Sequence, residues 1–137
     1  MIKTRLSTDV TNGICCLAYL HDRPLEIVPV RDIAKHFGFT PEIALRALRV
    51  LARSQYVRSS RGVHGGYRIN RDPACITLSE FLMQVEGSSQ TDFPPSPSKA
   101  ADKYHRSLEN CVRTSLAGTS KFLESVTVLQ IIEGFND

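Results

Sequence analysis

Thr40–Asn70 reads TPEIALRALRVLARSQYVRSSRGVHGGYRIN and carries a helix signal, a strand signal, a glycine turn and a second strand signal in direct succession. Few small folds accept that order. Thr40 suits an N-cap, and Pro41 suits the first helical position, where its missing N–H is not needed. At about 100° per residue, Ala44, Ala47, Leu48 and Leu51 share one face, and Glu42, Leu45, Arg46, Arg49 and Arg53 share the opposite arc. Tyr56–Ser60 and Tyr67–Asn70 then flank Arg61-Gly62-Val63-His64-Gly65-Gly66. Three glycines in six residues permit positive φ and close backbone approach, which predicts a hairpin.

The segment before this run extends the pattern. In Val30–Phe39, Ile33, Ala34 and Phe37 fall on one side, and Gly38 stands where a helix should stop. Helix, short glycine turn and capped helix is the helix-turn-helix arrangement, and the hairpin would be its wing. Between Phe39 and Arg71 there are seven arginines (46, 49, 53, 58, 61, 68 and 71) against the single acid Glu42. Such clustering is the electrostatic footprint of a nucleic-acid-binding face. Residues 1 to 72 hold twelve Lys/Arg and six Asp/Glu, a net +6, while residues 73 to 137 hold five and eight, a net −3. A basic part is thus followed by a mildly acidic part with another task.

Thr4-Arg5-Leu6-Ser7-Thr8, Asp32-Ile33-Ala34, Leu48-Arg49-Val50-Leu51, Arg61-Gly62-x-x-Gly65-Gly66-Tyr67, Ile76-Thr77-Leu78 and Val85-Glu86-Gly87 follow one another in order. Together they resemble the Rrf-type winged-helix repressors, the bacterial family of IscR, NsrR and CymR, over nearly the whole chain. The resemblance implies a winged helix-turn-helix fold, sequence-specific binding of double-stranded DNA and no catalysis. A dimeric repressor on a pseudo-palindromic operator is the form it leads us to expect. In that family the position of Leu45 is often acidic, so a different target sequence is expected here. The family's further basic pair near the N-terminus is replaced by Asp9 and Asn12.

The remaining elements are read in order. Thr8 can cap a helix to about His21 with Val10, Ile14, Leu17 and Ala18 as its inner stripe. Ile27–Val30 is extended, and Pro29 disfavours a central strand. Arg71-Asp72-Pro73 is a turn, and Thr77 caps a helix through about Glu86 with Leu78, Phe81, Leu82 and Val85 inward. The fold class is therefore mainly α with a small β-hairpin wing. Its expected units are a DNA-binding domain at 1–87, a polar, proline-rich linker at 88–98 and dimerisation helices at 99–137. From Tyr104 to Val126, apolar and small residues recur at spacings of three and four, a seam longer than so small a domain should cover. It predicts a homodimer through a helix from about Lys99 to Val126, with Gly118 as a point of bending. Thr127 caps a last helix containing Leu129, Ile131, Ile132 and Phe135, which is expected to cross onto the partner subunit.

Glu42, Leu45, Arg46 and Arg49, with Thr40 at the head of their helix, are the candidate base-reading group: arginine bonds guanine, glutamate accepts from cytosine, and leucine packs on a thymine methyl. Arg61 and His64 suit a minor groove, and Gly65 lets backbone N–H groups approach phosphates. Arg5 and Ser7 are placed to touch the backbone. Cys15, Cys16, Cys75 and Cys111 lack the spacing of a disulfide framework or a C-x-x-C site, so buried structural thiols are expected. Cluster-binding relatives place three cysteines before the long helix, and here Cys111 stands alone inside it. No cofactor is expected; a cluster built with His105, a carboxylate and partner residues, or a thiol switch at Cys111, is the alternative. A small-molecule effector and a winged-helix module for protein or RNA remain open readings. No signal peptide or membrane-length apolar run is evident, which leads to the expectation of a cytoplasmic protein.

Overall fold

The computed structural model describes residues 8–85, 96–115 and 120–135, with side chains omitted at 112–115 and 120–121. The elements are α1 (Thr8–His21), α2 (Val30–Phe37), α3 (Pro41–Arg53), β1 (Val57–Ser60), β2 (Gly66–Ile69), a 3-10 turn (Pro73–Cys75), α4 (Leu78–Val85), α5 (Asp102–Ser115), α6 (Ser120–Ser125) and α7 (Val128–Glu133). The expected fold, helical with one antiparallel hairpin, is the one observed.

α1 is the axis of the molecule. One inner stripe was expected, but every residue from Val10 to Ala18 is buried, as is Leu20. The reason is that α1 is surrounded by α2, α3, α4, α5, α7 and β2. Thr11 and Asn12 are therefore inside, and Cys15 and Cys16 are both buried although they point to different faces. Gly13 is a point of closest approach: a Cβ there would lie 3.0 Å from the Phe81 ring of α4. On the α2 side, Phe37 packs on Tyr19, Phe39 and Tyr104, joining α1, α2 and α5 through aromatic edges and faces.

Thr8, expected to cap α1, is instead its first residue, whereas the other caps fall where the sequence puts them. Gly38 ends α2 in the left-handed conformation at φ 72°, which costs glycine no Cβ clash. Thr40 Oγ1 accepts from the Ile43 N–H at 3.2 Å. Thr77 Oγ1 accepts from the Glu80 N–H at 3.0 Å. Thr127 and Gln130 form a reciprocal capping box at the head of α7. In the hairpin Val57, Arg58, Ser59 and Ser60 oppose Ile69, Arg68, Tyr67 and Gly66. The extended piece before α2 contributes more than expected. Val28 and Tyr67 exchange both backbone bonds at 2.8 and 2.9 Å, so the wing leans on a third short segment that Pro29 then ends. Only glycine fits at Gly66, where a Cβ would lie 2.2 Å from the Val28 carbonyl oxygen.

The C-terminal part packs on its own chain more than periodicity alone tells. The seam was expected to outrun the domain, yet Tyr104, Leu108, Cys111 and Val126 are buried within this chain, and Phe122 and Leu123 are partly covered. α5 lies on α1 and α6 on α4. Helix starts at Asp102 rather than Lys99, behind a turn in which Ser98 Oγ accepts from the Ala101 N–H at 3.2 Å. α7 was expected to cross onto a partner, but here it packs on its own chain. The Leu78 N–H donates to the Val126 carbonyl at 2.7 Å and the Val128 N–H to that of Ile76 at 2.8 Å. The Phe135 N–H also donates to Ser107 Oγ at 2.6 Å. One apolar core thus runs from Val10 through Ile131, with residues from both sides of the 88–98 stretch. Glu86, residues 88–95, Leu116, Gly118 and Thr119 lie outside the described residues, as do the side chains of Val112 and Ser115. No helix among the described residues is long and apolar enough to cross a membrane.

Candidate nucleic-acid interface

Burial of Ala44, Ala47, Leu48 and Leu51 turns the opposite arc of α3 outward. On that arc Leu45 lies at the edge toward the wing, Arg49 and Glu42 in the middle, and Arg46 at the edge toward α1. The wing stands beside it. Glu42, Leu45 and Arg49 line one open groove of about 730 Å³ together with Ser59, Ser60, Arg61 and Gly65, and Arg31 at the start of α2 lines its far end. At the tip the Gly65 N–H donates to the Gly62 carbonyl at 2.9 Å, with Gly62 at φ 105°. That turn pushes Val63 out to 95% exposure, with Arg61 and His64 exposed on either side.

Among the described residues, most arginines of this segment have no acid partner. Arg46 pairs with Asp9 at 2.9 Å and Arg71 with Glu80 at 2.6 Å. Among the described residues, Arg49, Arg53, Arg58, Arg61 and Arg68 form no ion pair, and all five are exposed. Arg58 and Arg68 even stand directly opposite each other across the hairpin, an arrangement that costs stability unless an anion lies against it. Exposed guanidinium groups without acids favour a polyanion with closely spaced phosphates.

The structure thus brings Glu42, Leu45, Arg49, Arg61 and Gly65 together in one groove. Thr40 is adjacent, with the acceptor side of its hydroxyl used by the cap. His64 is exposed at the tip but does not line the groove, and Arg46 is turned toward α1. Arg5 and Ser7 lie outside the described residues. Sequence reasoning missed Arg31, although a cation in the first turn of a helix opposes the helix dipole and hints at a phosphate partner. It also missed Asp9 as the partner of Arg46, a contact between residues 37 apart with no local signal.

The metal candidates are placed elsewhere. His105 is buried, with Nδ1 2.7 Å from Thr11 Oγ1. Cys111 is buried, and burial pushes its thiol up to about 12. Among the described residues no three His, Cys, Asp or Glu side chains are grouped so as to hold a metal ion. The expectation of buried thiols holds for Cys15, Cys16 and Cys111 but not for Cys75, which is exposed at the end of the 3-10 turn.

The Rrf2 family model, described as an iron-dependent transcriptional regulator, matches residues 6–134. Over 123 residues the chain is 25% identical to the HTH-type transcriptional regulator BadM of Rhodopseudomonas palustris, covering 85% of this chain and 78% of that protein. It is 28% identical over 61 residues to the HTH-type transcriptional regulator NsrR of Bacillus licheniformis, 44% of this chain and 43% of that one. Among solved structures, CymR, the global cysteine regulator of B. subtilis, matches at TM-score 0.65 and 21% identity, covering 97% of this chain and 98% of that one. The T. potens IscR structure matches at TM-score 0.61 and 24% identity, over 93% and 85% of the two chains. Likeness at these identities speaks for the fold. The family description names a dependence on iron, and among the described residues no donor set is grouped to hold it.

Proposed function

The chain belongs to the Rrf2 family of DNA-binding transcriptional regulators, and from that premise we propose that it acts in the cytoplasm as a dimeric repressor on a pseudo-palindromic operator. α3 enters the major groove, with Glu42, Leu45 and Arg49 at base edges on the side of the wing and Arg46 at a base edge on the side nearer α1. Arg61 and His64 at the wing tip enter the adjacent minor groove, and Gly65 brings backbone N–H groups to the phosphates. The observation that carries this reading is that Glu42, Leu45 and Arg49 of α3 line a single open groove with the wing residues Arg61 and Gly65. Pairing of two copies through the region from Lys99 to Val126 would set two such grooves one or more helical turns, about 34 Å, apart. Support for pairing there comes from Phe122 and Leu123, which their own chain covers only in part, and from exposed Met83 on neighbouring α4.

Selection from a randomised duplex library, with the winners titrated at several salt concentrations, tests the reading. The expected result is a two-fold-related motif whose binding weakens steeply with salt. Binding that enriches no motif, or that prefers RNA or an acidic protein, would overturn it. Sedimentation of the protein alone and on the selected duplex reads the number of copies.

A further inference from the structure

Arg46 and Asp9 form an ion pair at the edge of α3, with Arg46 Nη2 donating to Asp9 Oδ2 at 2.9 Å. The pair is open to solvent, the side chains being 73% and 36% exposed respectively. Exposed pairs contribute little to stability, because water and salt screen them and two side chains must be held still. An acid here is also a liability for a surface that meets phosphates. Asp9 and Glu42 flank Arg46 on a face that otherwise collects arginines. Asp9 suits the first turn of α1, where the helix dipole favours an acid; the dipole does not account for its contact with Arg46.

We propose that Asp9 is a positioning residue for DNA reading, fixing the Arg46 guanidinium so that it presents a ready pair of N–H groups to a guanine; this rests on α3 being the base-reading helix. A guanidinium has five N–H donors in a rigid fork. One bond from Nη2 removes at most one of its two parallel donor edges, and the other is left for the O6 and N7 of guanine. The anchor is stiff: Asp9 belongs to the first turn of α1, and the residues that follow it, Val10 to Ala18, are buried. Arg46, by contrast, is a long side chain that would otherwise sample many rotamers, and binding has to immobilise it. Asp9 carries out that ordering before DNA arrives. Its charge adds a second effect. On a site without guanine at that position Arg46 loses its base partner, and Asp9 then faces the DNA as an uncompensated repulsion. The pair therefore sharpens the choice of sequence rather than raising affinity for DNA in general.

The experiment compares Asp9→Ala, Asp9→Asn, Arg46→Ala and the double variant, each measured for thermal midpoint and for Kd on the selected duplex and on duplexes with single base changes. Arg46→Ala identifies the base pair that Arg46 reads. The expected result is that Asp9→Ala lowers discrimination at that same base pair by about five- to tenfold. Non-specific affinity rises, and the thermal midpoint falls by no more than the loss of a first-turn acid explains, a fall that Asp9→Asn shares. Asp9→Asn, which keeps an acceptor but no charge, falls between them, and the double variant discriminates no worse than Arg46→Ala alone. If Asp9→Ala raises affinity equally on every duplex and leaves discrimination intact while Arg46→Ala relaxes it, the positioning role is wrong and the base-reading role of α3 survives. If Arg46→Ala changes preference at no position, the assignment of Arg46 itself fails and the proposal goes with it.

Discussion

Gln55 sits between α3 and β1 at φ 65°, in the left-handed region where a side chain is strained and glycine is not. Two bonds to its backbone hold it there: its N–H donates to the Ala52 carbonyl at 3.0 Å, and its own carbonyl accepts from the side-chain Nδ2 of Asn70 at 2.8 Å. The side chain is exposed and no hydrogen bond to it is seen among the described residues, so little is lost with it. Gln55→Gly is expected to stabilise the chain by about 0.5–1 kcal/mol, partly offset by the greater freedom of glycine when unfolded. Urea denaturation would measure this, and an unchanged or lower midpoint would contradict the strain argument. The strain was not legible in the sequence, because nothing in Ser54-Gln55-Tyr56 marks a left-handed residue. Gly38 was legible, since a glycine following an amphipathic run has an ordinary reason to be there. The difference is physical: glycine announces a conformation by lacking a Cβ, whereas a glutamine forced into the same conformation looks like any other surface residue.

At the scale of elements, the wing is tied to α4 by three side chains. Tyr56, buried at the foot of β1, donates its hydroxyl hydrogen bond to Glu80 Oε2 at 2.6 Å, and Arg71 donates to the same oxygen at 2.6 Å. Tyr56 also stacks on Phe81 with ring centroids 5.9 Å apart. Burial by itself would raise the Glu80 carboxyl, but the bonds from Tyr56 and Arg71, with the charge of Arg71, together hold it below its ordinary 4.5. A carboxyl lowered in the folded state contributes stability that is complete above its unfolded pKa and is lost as pH falls through the folded value. Tyr56→Phe removes one of the bonds that favour the ionised form. It is expected to cost about 1–2 kcal/mol at neutral pH, since a bond to a partly exposed carboxylate is worth less than one in a dry interior. That cost should shrink as the solution is acidified past the carboxylate range, because protonation of Glu80 removes the preference in both proteins. Chemical denaturation of the two chains at a series of pH values reads it, and a difference constant with pH would mean that Glu80 is not the partner that matters. The helix-turn-helix and hairpin could be read from the sequence because their determinants are local: Thr40, Pro41 and Gly38 act within a turn of where they stand. The Tyr56–Arg71–Glu80 link joins residues up to 24 apart and needs the fold before it can be seen.

For the whole molecule, what the sequence concealed was which surfaces meet. Periodicity tells which face of a helix avoids water but not what covers it, so the seam of α5 could equally be matched to a second copy or to α1. α1 itself gave an incomplete signal, because a helix buried on every side has little alternation left to detect. In the structure Cys15 and Cys16 on α1 and Cys111 on α5 lie in one core, while Cys75 at the end of the 3-10 turn is exposed. Burial pushes the Cys16 and Cys111 thiols up to about 12 and raises that of Cys15 as well, so at neutral pH few thiolates are available there. Of the four cysteines, titration of the native protein with a chromogenic disulfide is expected to find one that reacts promptly, Cys75, and three that wait for denaturant. The same titration reports on the packing of α5. Prompt reaction of Cys111, with Cys15 and Cys16 still silent, would mean that α5 lifts from α1 while the DNA-binding half stays folded. A helix that separates so readily would be free to exchange its apolar face between two copies, and covering of the seam within one chain would then be only one of its states. Silence at Cys111 at every protein concentration, with sedimentation showing dimers, would place pairing on surfaces that leave the α1–α5 contact intact.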